Sequence, residues 1–291
     1  MFKKILKITG IIIGVMVILL AAYYTKVCIS INNRLHARYD VTPQTINVTH
    51  DSATLALGGR FIKTKGCTEC HGEDLGGKVF ADDPLLGFLV ARNLTKGKGG
   101  LPQDFAVEDW VLALKHGLNR ERTPLLFMPS HEFTHLSEQD MSAVIAYCSN
   151  LPKVDREFPG SSIGPLGKVL TDQGKLPMFP AEMIDHGRSL VKEVRNEVSI
   201  DFGKYLSTGC EGCHRKNMKG GEPVAPGFPI VADITSSGNP GKWTDEQFIA
   251  TLRTGVTPEG KVLKPGEMPW TMTKDMTDTE LQALHLYLRN L

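Results

Sequence analysis

The sequence predicts an all-α protein in which an N-terminal transmembrane helix precedes two similar helical domains in tandem. Three observations predict this architecture. The N-terminal residues contain a long uncharged run. A short motif of two cysteines and a histidine occurs twice, and the residues that follow the two copies resemble each other over about a hundred positions. A chain of 291 residues, 41% of them hydrophobic, is long enough for two small domains and their connections.

The predicted boundaries divide the chain into five segments. They are a membrane anchor at 1–30, a spacer at 31–50, a first domain at 51–150, a connector at 151–199 and a second domain at 200–291.

The anchor is predicted from residues 8–25, which carry no charge and follow a basic start, Lys3-Lys4 and Lys7. Such a run is about the shortest that spans a bilayer as a helix, roughly 17–25 residues. A cleaved signal peptide is the alternative. Tyr23-Tyr24 after the alanine pair favours an anchor that is retained, because aromatic residues prefer the membrane interface.

The net charge of +1 leaves no broad basic surface, so we expect no nucleic-acid partner. The predicted contacts are instead the membrane, through the N-terminal helix, and other proteins.

The two copies of the cysteine motif have the form C-x-x-C-H. Their residues are Cys67, Cys70 and His71 in the first copy and Cys210, Cys213 and His214 in the second. This spacing predicts covalent haem, because two thiols one helical turn apart can each bond a vinyl group while the adjoining histidine binds the iron. A zinc site would need all four ligands to converge, a thioredoxin-like motif would need a βαβ unit, and disulfides would leave the histidines unexplained.

The motifs therefore predict two haem c groups. Because haem of this type is attached outside the cytoplasm, we expect both domains on the periplasmic side of a bacterial cytoplasmic membrane. Of the two remaining cysteines, Cys148 is expected to be a small buried hydrophobe, and Cys28 has no assigned role.

The internal repeat indicates a second iron ligand in each domain. The segment 108–117 matches 246–255, and further on Met128 aligns with Met268. Each methionine precedes a proline, and nine residues later each is followed by a helix N-cap, Ser137 or Thr277. Both methionines are candidates for the sixth ligand, since a thioether suits ferrous iron and raises the reduction potential.

Other side chains could take that place. Methionine is often core filler, and the rival methionines are Met141, Met218, Met272 and Met276. A bis-histidine site in the first domain could use His116, His131 or His135, but none of these has a histidine counterpart in the second domain. His285 is predicted to be a helix residue without a ligand role, and His36, His50 and His186 are predicted to be solvent-exposed.

Each domain is predicted to contain a helix running into its motif, a middle helix near 105–117 or 244–254, and a last helix near 137–150 or 277–290. The connector is too apolar to lie free in solvent, so we expect it to pack across both domains.

This pattern resembles the class I cytochrome c fold in tandem, over about 53–150 and 200–291. More widely, it is similar to membrane-anchored c-type cytochromes and to the cytochrome subunits of bacterial alcohol and gluconate dehydrogenases. Those subunits typically carry three haem motifs, whereas this chain has two. The resemblance implies that the four motif cysteines hold haem and that His71, Met128, His214 and Met268 ligate iron.

The predicted function is electron transfer, because haems with both axial positions filled leave no open site for a substrate. The expected partners are a membrane dehydrogenase or quinol-oxidising complex as donor and a terminal oxidase or soluble cytochrome as acceptor. The alternative is an enzyme, either a dihaem peroxidase or a dehydrogenase of a sulfur compound, and it would need an open or unusual axial position. A haem-based sensor would need a signalling domain, and none is visible in the sequence.

Local charge predicts the direction of electron flow. The stretch Cys67–Asp83 has a net charge of −4, with five acidic residues against one lysine, whereas Cys210–Pro226 has a net charge of +1. Positive surroundings disfavour ferric iron, so we expect the second haem to have the higher potential.

Overall fold

The structure of this protein is a computed structural model, and it describes residues 2–224 and 227–291. It is mostly helical, which confirms the predicted all-α class. The α-helices are α1 Phe2–Leu35, α2 Ser52–Thr64, α3 Cys67–His71, α4 Val107–His116, α5 Ser130–Phe133, α6 Glu138–Ser149, α7 Pro165–Asp172, α8 Ile200–Ser207, α9 Glu211–His214, α10 Asp245–Thr254 and α11 Asp278–Arg289. A small antiparallel sheet consists of β1 Lys78–Asp83, β2 Gly87–Ala91 and β3 Ser162–Ile163.

Helix α1 is long and apolar enough to cross a membrane, and none of its most apolar 18-residue window is buried. It extends to Leu35, beyond the predicted end at residue 30. Near that end, Val27 and Ile31 are buried against Phe179. The Arg34 guanidinium lies 4.5 Å from the centre of the same ring and donates two hydrogen bonds to the Glu182 carboxylate, at 2.7 and 2.6 Å. The end of α1 is thus attached to the connector.

The residues after α1, assigned to a spacer at 31–50 by the sequence, lie along the protein surface and contribute to its cores. Val41 packs with Ala181, and Ile46 belongs to the apolar cluster around α2 and α6. Gln44 accepts a hydrogen bond from the backbone N of Leu190 at 3.1 Å. This segment therefore packs against the helices that follow it and keeps them close to the end of α1.

Two helical units follow, each with its own core. The first unit is formed by α2–α6 with β1 and β2, and the second unit by α8–α11. In each, the first helix crosses the last at a glycine. A Cβ on Gly58 would stand 2.0 Å from Ala143 O, and a Cβ on Gly203 would stand 2.0 Å from Ala283 O. Aligning the two motifs without gaps would place Gly58 opposite Asp201. In the structure Gly58 is instead equivalent to Gly203, since each stands where the first helix of its unit crosses the last.

The last helix of each unit begins as the sequence predicts. The Ser137 hydroxyl accepts a hydrogen bond from Asp140 N at 3.1 Å, and the Thr277 hydroxyl accepts one from Glu280 N at 3.2 Å. In the second unit the acidic side chain also accepts a hydrogen bond from the backbone N of the N-cap residue, from Thr277 N to Glu280 at 2.7 Å. Both predicted N-caps are confirmed.

The connector supplies β3 and α7, and it touches both units. Asn93 donates its amide to Val154 O at 2.7 Å, and Glu138 N donates to Val191 O at 2.8 Å, both in the first unit. Val194 packs against the core of the second unit.

The prediction that His186 is solvent-exposed is wrong, because the connector folds back onto the end of α4. His186 is half-buried, its Nδ1 lies 3.0 Å from His116 Nδ1, and its ring meets Tyr39 edge-on. His36 and His50 are exposed, as predicted.

The two units contact each other through reciprocal interactions. Arg60 of α2 donates to the Glu280 carboxylate at 2.8 and 2.6 Å, and Glu280 is buried. Tyr205 of α8 donates its hydroxyl to Asp140. Asp140 and Glu280 occupy the same position in α6 and α11, so each unit uses its first helix to reach the last helix of the other.

Candidate functional site

The first C-x-x-C-H motif forms a short helix, α3, that is separated from α2 by a sharp turn. Gly66 occupies this turn with φ of 69°, a left-handed conformation that favours glycine. Cys67 and Cys70 lie one turn apart on α3. The second motif continues from α8 through a 3₁₀ turn, Thr208–Cys210, into α9. Both motifs therefore present two sulfurs and a histidine on a single helical turn.

The two motif histidines have the same hydrogen bond. His71 Nδ1 donates to Arg92 O at 2.7 Å, and His214 Nδ1 donates to Ala232 O at 2.9 Å. A carbonyl oxygen can only accept, so the proton lies on Nδ1, and Nε2 keeps its lone pair for a metal. Burial lowers the pKa of both imidazoles, although the carbonyl bond opposes this. Both rings are thus neutral, as a ligand must be.

The motif thiols lie in apolar surroundings. Burial raises the pKa of Cys67 to about 12 and that of Cys210 to about 11. Burial also raises the pKa of Cys70 and Cys213. Neither unit therefore holds a reactive thiolate, and the environment suits sulfur in a neutral thioether to an apolar group.

The two predicted methionines lie in identical turns. Ser130 N donates to Met128 O, and Trp270 N donates to Met268 O, both at 2.7 Å. The intervening prolines have φ/ψ of −78°/52° and −77°/57°. Met128 packs against the same core cluster as Cys67, and Met268 against the same cluster as Cys210. The structure therefore brings each methionine into the unit of its own motif.

The rival side chains stand outside these turns, although three of the rival methionines belong to the same two clusters. Met141, Met218 and Met276 are buried in the two cores, and Met272 lies against Gly66 of the other unit. His116 is bonded to His186, and His135 contacts Arg188. His131 Nδ1 is buried without a hydrogen-bond partner among the described residues. His285 is a buried helix residue that contacts Asp245 at 2.7 Å and Pro240 O at 2.9 Å.

The two motifs approach each other across the contact between the units. A Cβ on Gly212, inside the second motif, would stand 2.9 Å from Glu132 Oε1 of the first unit. A Cβ on Gly66, beside the first motif, would stand 2.6 Å from Met272 Cε of the second unit. Glu132 and Met272 are equivalent in the repeat, since each follows its predicted ligand methionine by four positions.

Glu132 is the charged member of this pair, and it is not among the site residues predicted from the sequence. Burial raises its pKa to about 7, Lys65 opposes the shift, and Glu211 adds to it. Burial lowers the pKa of Lys65. The repeat alignment could have identified positions 132 and 272 as equivalent, but only the contact between the units shows which motif each one meets.

The donor set fits covalently bound haem. Each unit offers two neutral thiols, an imidazole Nε2 with a free lone pair, and a half-buried thioether in a matching turn. Groups of three or more His, Cys, Asp or Glu side chains that could hold an ordinary metal ion are absent from the part of the chain that the structure describes. His71 and Met128 would hold the iron of one haem, and His214 and Met268 that of the other.

Comparison with known families supports this interpretation. The cytochrome c family model matches residues 55–152 and 201–291. Both matched segments agree with the two helical units. The predicted resemblance to cytochrome c domains is therefore confirmed.

Similar proteins include two dehydrogenase subunits. The chain is 25% identical over 255 residues to the fructose dehydrogenase cytochrome subunit of Gluconobacter japonicus, covering 77% of this chain and 50% of that protein. It is 24% identical over 284 residues to the cytochrome c subunit of alcohol dehydrogenase (quinone) from Gluconacetobacter polyoxogenes, covering 83% and 56%.

A third relative matches over a shorter range. The cbb3-type cytochrome c oxidase subunit CcoP of Helicobacter pylori is 32% identical over 105 residues, which is 35% of this chain and 32% of that protein. The chain thus spans about half the length of the dehydrogenase subunits it matches, and less of this oxidase subunit.

Proposed function

This chain belongs to the cytochrome c family, whose members bind haem c covalently and transfer electrons, and we propose that it is a membrane-anchored dihaem cytochrome. In this proposal it relays electrons outside the cytoplasmic membrane. The donor is a dehydrogenase or a quinol-linked complex, and the acceptor is a downstream carrier or oxidase.

The observation that carries the proposal is the repetition of one ligand geometry. In each unit the motif histidine is oriented by a backbone carbonyl, and a methionine stands in the same Met-Pro turn. Core positions such as Leu114 and Leu252 also agree between the units, but these lie within helices. The two methionines share both the side chain and a Met-Pro turn outside any helix, which core filling alone does not require. This supports His71 and Met128 as one ligand pair and His214 and Met268 as the other.

When bound, haem supplies reversible one-electron chemistry at its iron. The backbone and side-chain groups around the haem would determine how that chemistry is used. The carbonyls of Arg92 and Ala232 fix the imidazole tautomer and make the ligands more basic. A methionine on the opposite side would close the remaining position, which favours electron transfer over reactions at a substrate.

Electron transfer between the haems is supported by the contact between the units. Both motifs lie beside this contact, with Gly66 against Met272 and Gly212 against Glu132. Electrons would therefore pass from one unit to the other within a single chain. The predicted order, first haem to second, follows from the charges near each motif. Ala225 and Pro226, at the end of the second charged stretch, lie outside the described residues.

The partners are proposed from the relatives. Two of them are cytochrome subunits of sugar and alcohol dehydrogenases, and one is a subunit of a terminal oxidase. We infer that this chain likewise works beside a membrane dehydrogenase or an oxidase, with α1 holding it at the membrane and haem attachment placing both units in the periplasm.

A dihaem peroxidase or a dehydrogenase of a sulfur compound is the alternative. Either enzyme would need one iron without a strong sixth ligand. Carbon monoxide distinguishes the two proposals, because it binds ferrous iron only where an axial position is open.

Haem counting tests the central proposal. Two haems should remain attached after denaturation and acidic-solvent extraction. Replacing Cys67 and Cys70 with alanine should remove one, and replacing Cys210 and Cys213 should remove the other. A single covalent haem in the unaltered protein would contradict the proposal.

Ligand replacement tests the assignment of the methionines. Met128→Ala and Met268→Ala should each remove about half of the red charge-transfer band of methionine-bound ferric haem and open one iron to carbon monoxide. Met272→Ala is the matched control, because Met272 lies near a motif but in the other unit. If Met272→Ala or His131→Ala opened an iron instead, the ligand assignment would be wrong.

A further inference from the structure

The charges of α1 determine its height in a bilayer. Residues 8–25 carry no charge, and Lys7 and Lys26 stand at the two ends of this run. Such a run spans about 27 Å as a helix and nearly fills a hydrocarbon core of about 30 Å, so α1 has little room to slide. The headgroup layer on each side is about 5–8 Å thick, so it contains about three to five of the residues that follow Thr25.

A turn of the connector lies at this level. It comprises residues 173–175 directly after α7, and we name it the connector turn. Gln173 Nε2 donates to the Tyr23 hydroxyl at 3.2 Å, and the carboxylate of Asp172 lies 3.9 Å from Lys26 Nζ. Tyr23 and Lys26 mark the end of the uncharged run, and tyrosine prefers the membrane interface. The connector turn therefore lies beside the boundary between lipid and water.

The chain descends towards the membrane as it enters the connector turn. Two residues before Gln173, Thr171 O accepts a hydrogen bond from Arg34 at 3.2 Å. Arg34 follows Lys26 by eight residues, which is about 12 Å along the helix axis. Contacts at three heights of α1 thus hold α7 and the connector turn, so this part of the connector moves with α1 as one body.

No described part of the chain covers the connector turn. All three of its residues are exposed, and no atom lies within 4 Å of a Cβ built on Gly174. Among the described residues, no acidic side chain pairs with Lys175. An exposed polar turn is ordinary in water, but at this depth the medium around it is the headgroup layer.

The charges at this level suit lipid phosphate. The Lys26 side chain is 73% exposed and Lys175 is exposed, whereas the one acid beside them, Asp172, is only 14% exposed. The other charges on α7 and on this end of α1 are Lys168 and the Arg34–Glu182 pair. Two ammonium groups therefore face outward, and lysine can extend its apolar stem along lipid while its charge reaches a phosphate.

We propose that the connector turn is a second membrane contact, seated in the headgroup layer with Lys175 and Lys26 against lipid phosphates. The inference rests on the proposed function, since it requires α1 to span a membrane. A single helix would allow the attached units to tilt towards the lipid. A second contact beside the helix restricts that tilt and determines which side of the first unit faces the membrane.

The experiment uses the full chain with both haems in nanodiscs of phosphatidylethanolamine and phosphatidylglycerol, one copy in each. Lys175→Cys carries a benzophenone on its thiol, in a Cys28→Ser background because Cys28 is partly exposed. Irradiation should join this label to phospholipid, detected by mass spectrometry as a lipid adduct on the peptide that contains residue 175.

Lys261→Cys is the matched control. Gly260 and Lys261 of the second unit repeat the order of Gly174 and Lys175, and both glycines have positive φ with open space around an added Cβ. Among the described residues, the bonds of this second turn stay within its own loop and do not reach α1. Its label should give no lipid adduct.

A label at Gly174→Cys tests the lysine itself. Adding Lys175→Glu should reduce the lipid adduct several-fold, because the phosphates repel a carboxylate. An unchanged yield would overturn the role of Lys175.

The same samples separate this inference from the proposed function. Insertion into nanodiscs with two covalent haems, but no lipid adduct at residue 175 or an equal adduct at residue 261, would overturn the second contact alone. A label at residue 175 that joined another copy of the chain in liposomes would also overturn it, by assigning the turn to a contact between copies. If the chain did not insert at all, α1 would not be an anchor, and the inference would fall with the proposed function.

Discussion

The carboxyl group of Glu132 should make the potential of the second haem depend on pH. This side chain lies in the first unit but against Gly212 of the second motif, and burial raises its pKa to about 7. The charged groups around it are Lys65, which stabilises the carboxylate, and Glu211, which opposes it. Burial lowers the pKa of His135, which lies three residues further along the chain.

The sign and size of the effect follow from electrostatics. Reduction adds one negative charge to the haem, so protonated Glu132 favours the reduced form and the ionised carboxylate disfavours it. The potential of the second haem should therefore fall as pH rises through about 7. A unit charge at about 10 Å with an effective dielectric constant of about 20 contributes about 1.7 kcal/mol, or about 70 mV for one electron. Screening by Lys65 makes this an upper value.

Redox titration across about two pH units on either side of 7 measures the effect. In Glu132→Gln the pH dependence should vanish, and the potential should stay near its low-pH value. Glu121→Gln, on an exposed loop of the same unit, is the matched control. The reasoning would be refuted if Glu132→Gln kept the slope, or if the pH-dependent step belonged to the haem that is lost when Cys67 and Cys70 are replaced.

Three further changes test the fold. Arg60→Met leaves the Glu280 carboxylate buried without its ion-pair partner, although Thr277 N still donates to it, and the substitution should lower the free energy of unfolding by up to about 3 kcal/mol, measured with denaturant. Gly255→Ala should lower the thermal midpoint of unfolding more than Gly117→Ala. Both glycines have positive φ, so both substitutions strain the backbone. In addition, a Cβ would stand 2.3 Å from the indole ring of Trp270 at Gly255, but 3.3 Å from its nearest neighbours at Gly117. Cys148→Ser should destabilise the protein, because it buries a hydroxyl, while the haem count stays unchanged.

The sequence was sufficient to predict features that depend on local chemistry. The motif spacing places two sulfurs and a histidine on one turn, and the N-caps Ser137 and Thr277 follow from the pattern around them. The alignment of Met128 with Met268 agrees with their identical turns. Each of these signals involves residues close together in the chain.

Features that depend on contacts between distant segments could not be predicted. The strands β1 and β2 are short, and their buried and exposed residues do not alternate regularly, so the sequence pattern does not identify them. Charge counting within each repeat also omitted Glu132, since an acid from the first unit lies against the second motif. The predicted order of the haem potentials therefore depends on a residue that the count assigned to neither motif.

The attachment of α1 to the connector has a consequence for how fast electrons can be exchanged. At about 1.5 Å per residue, the 18 uncharged residues 8–25 of α1 span about 27 Å, close to a bilayer core of about 30 Å, and the ten residues from there to Leu35 extend about 15 Å beyond it. Because Arg34 and Ile31 hold this extension firmly, the haem units would not swing on a flexible tether. Their height above the lipid would be fixed, and their remaining freedom would be rotation about the helix axis and lateral diffusion. Encounters with a membrane-bound donor would then scale with its density per unit area of membrane rather than with its concentration in the periplasm.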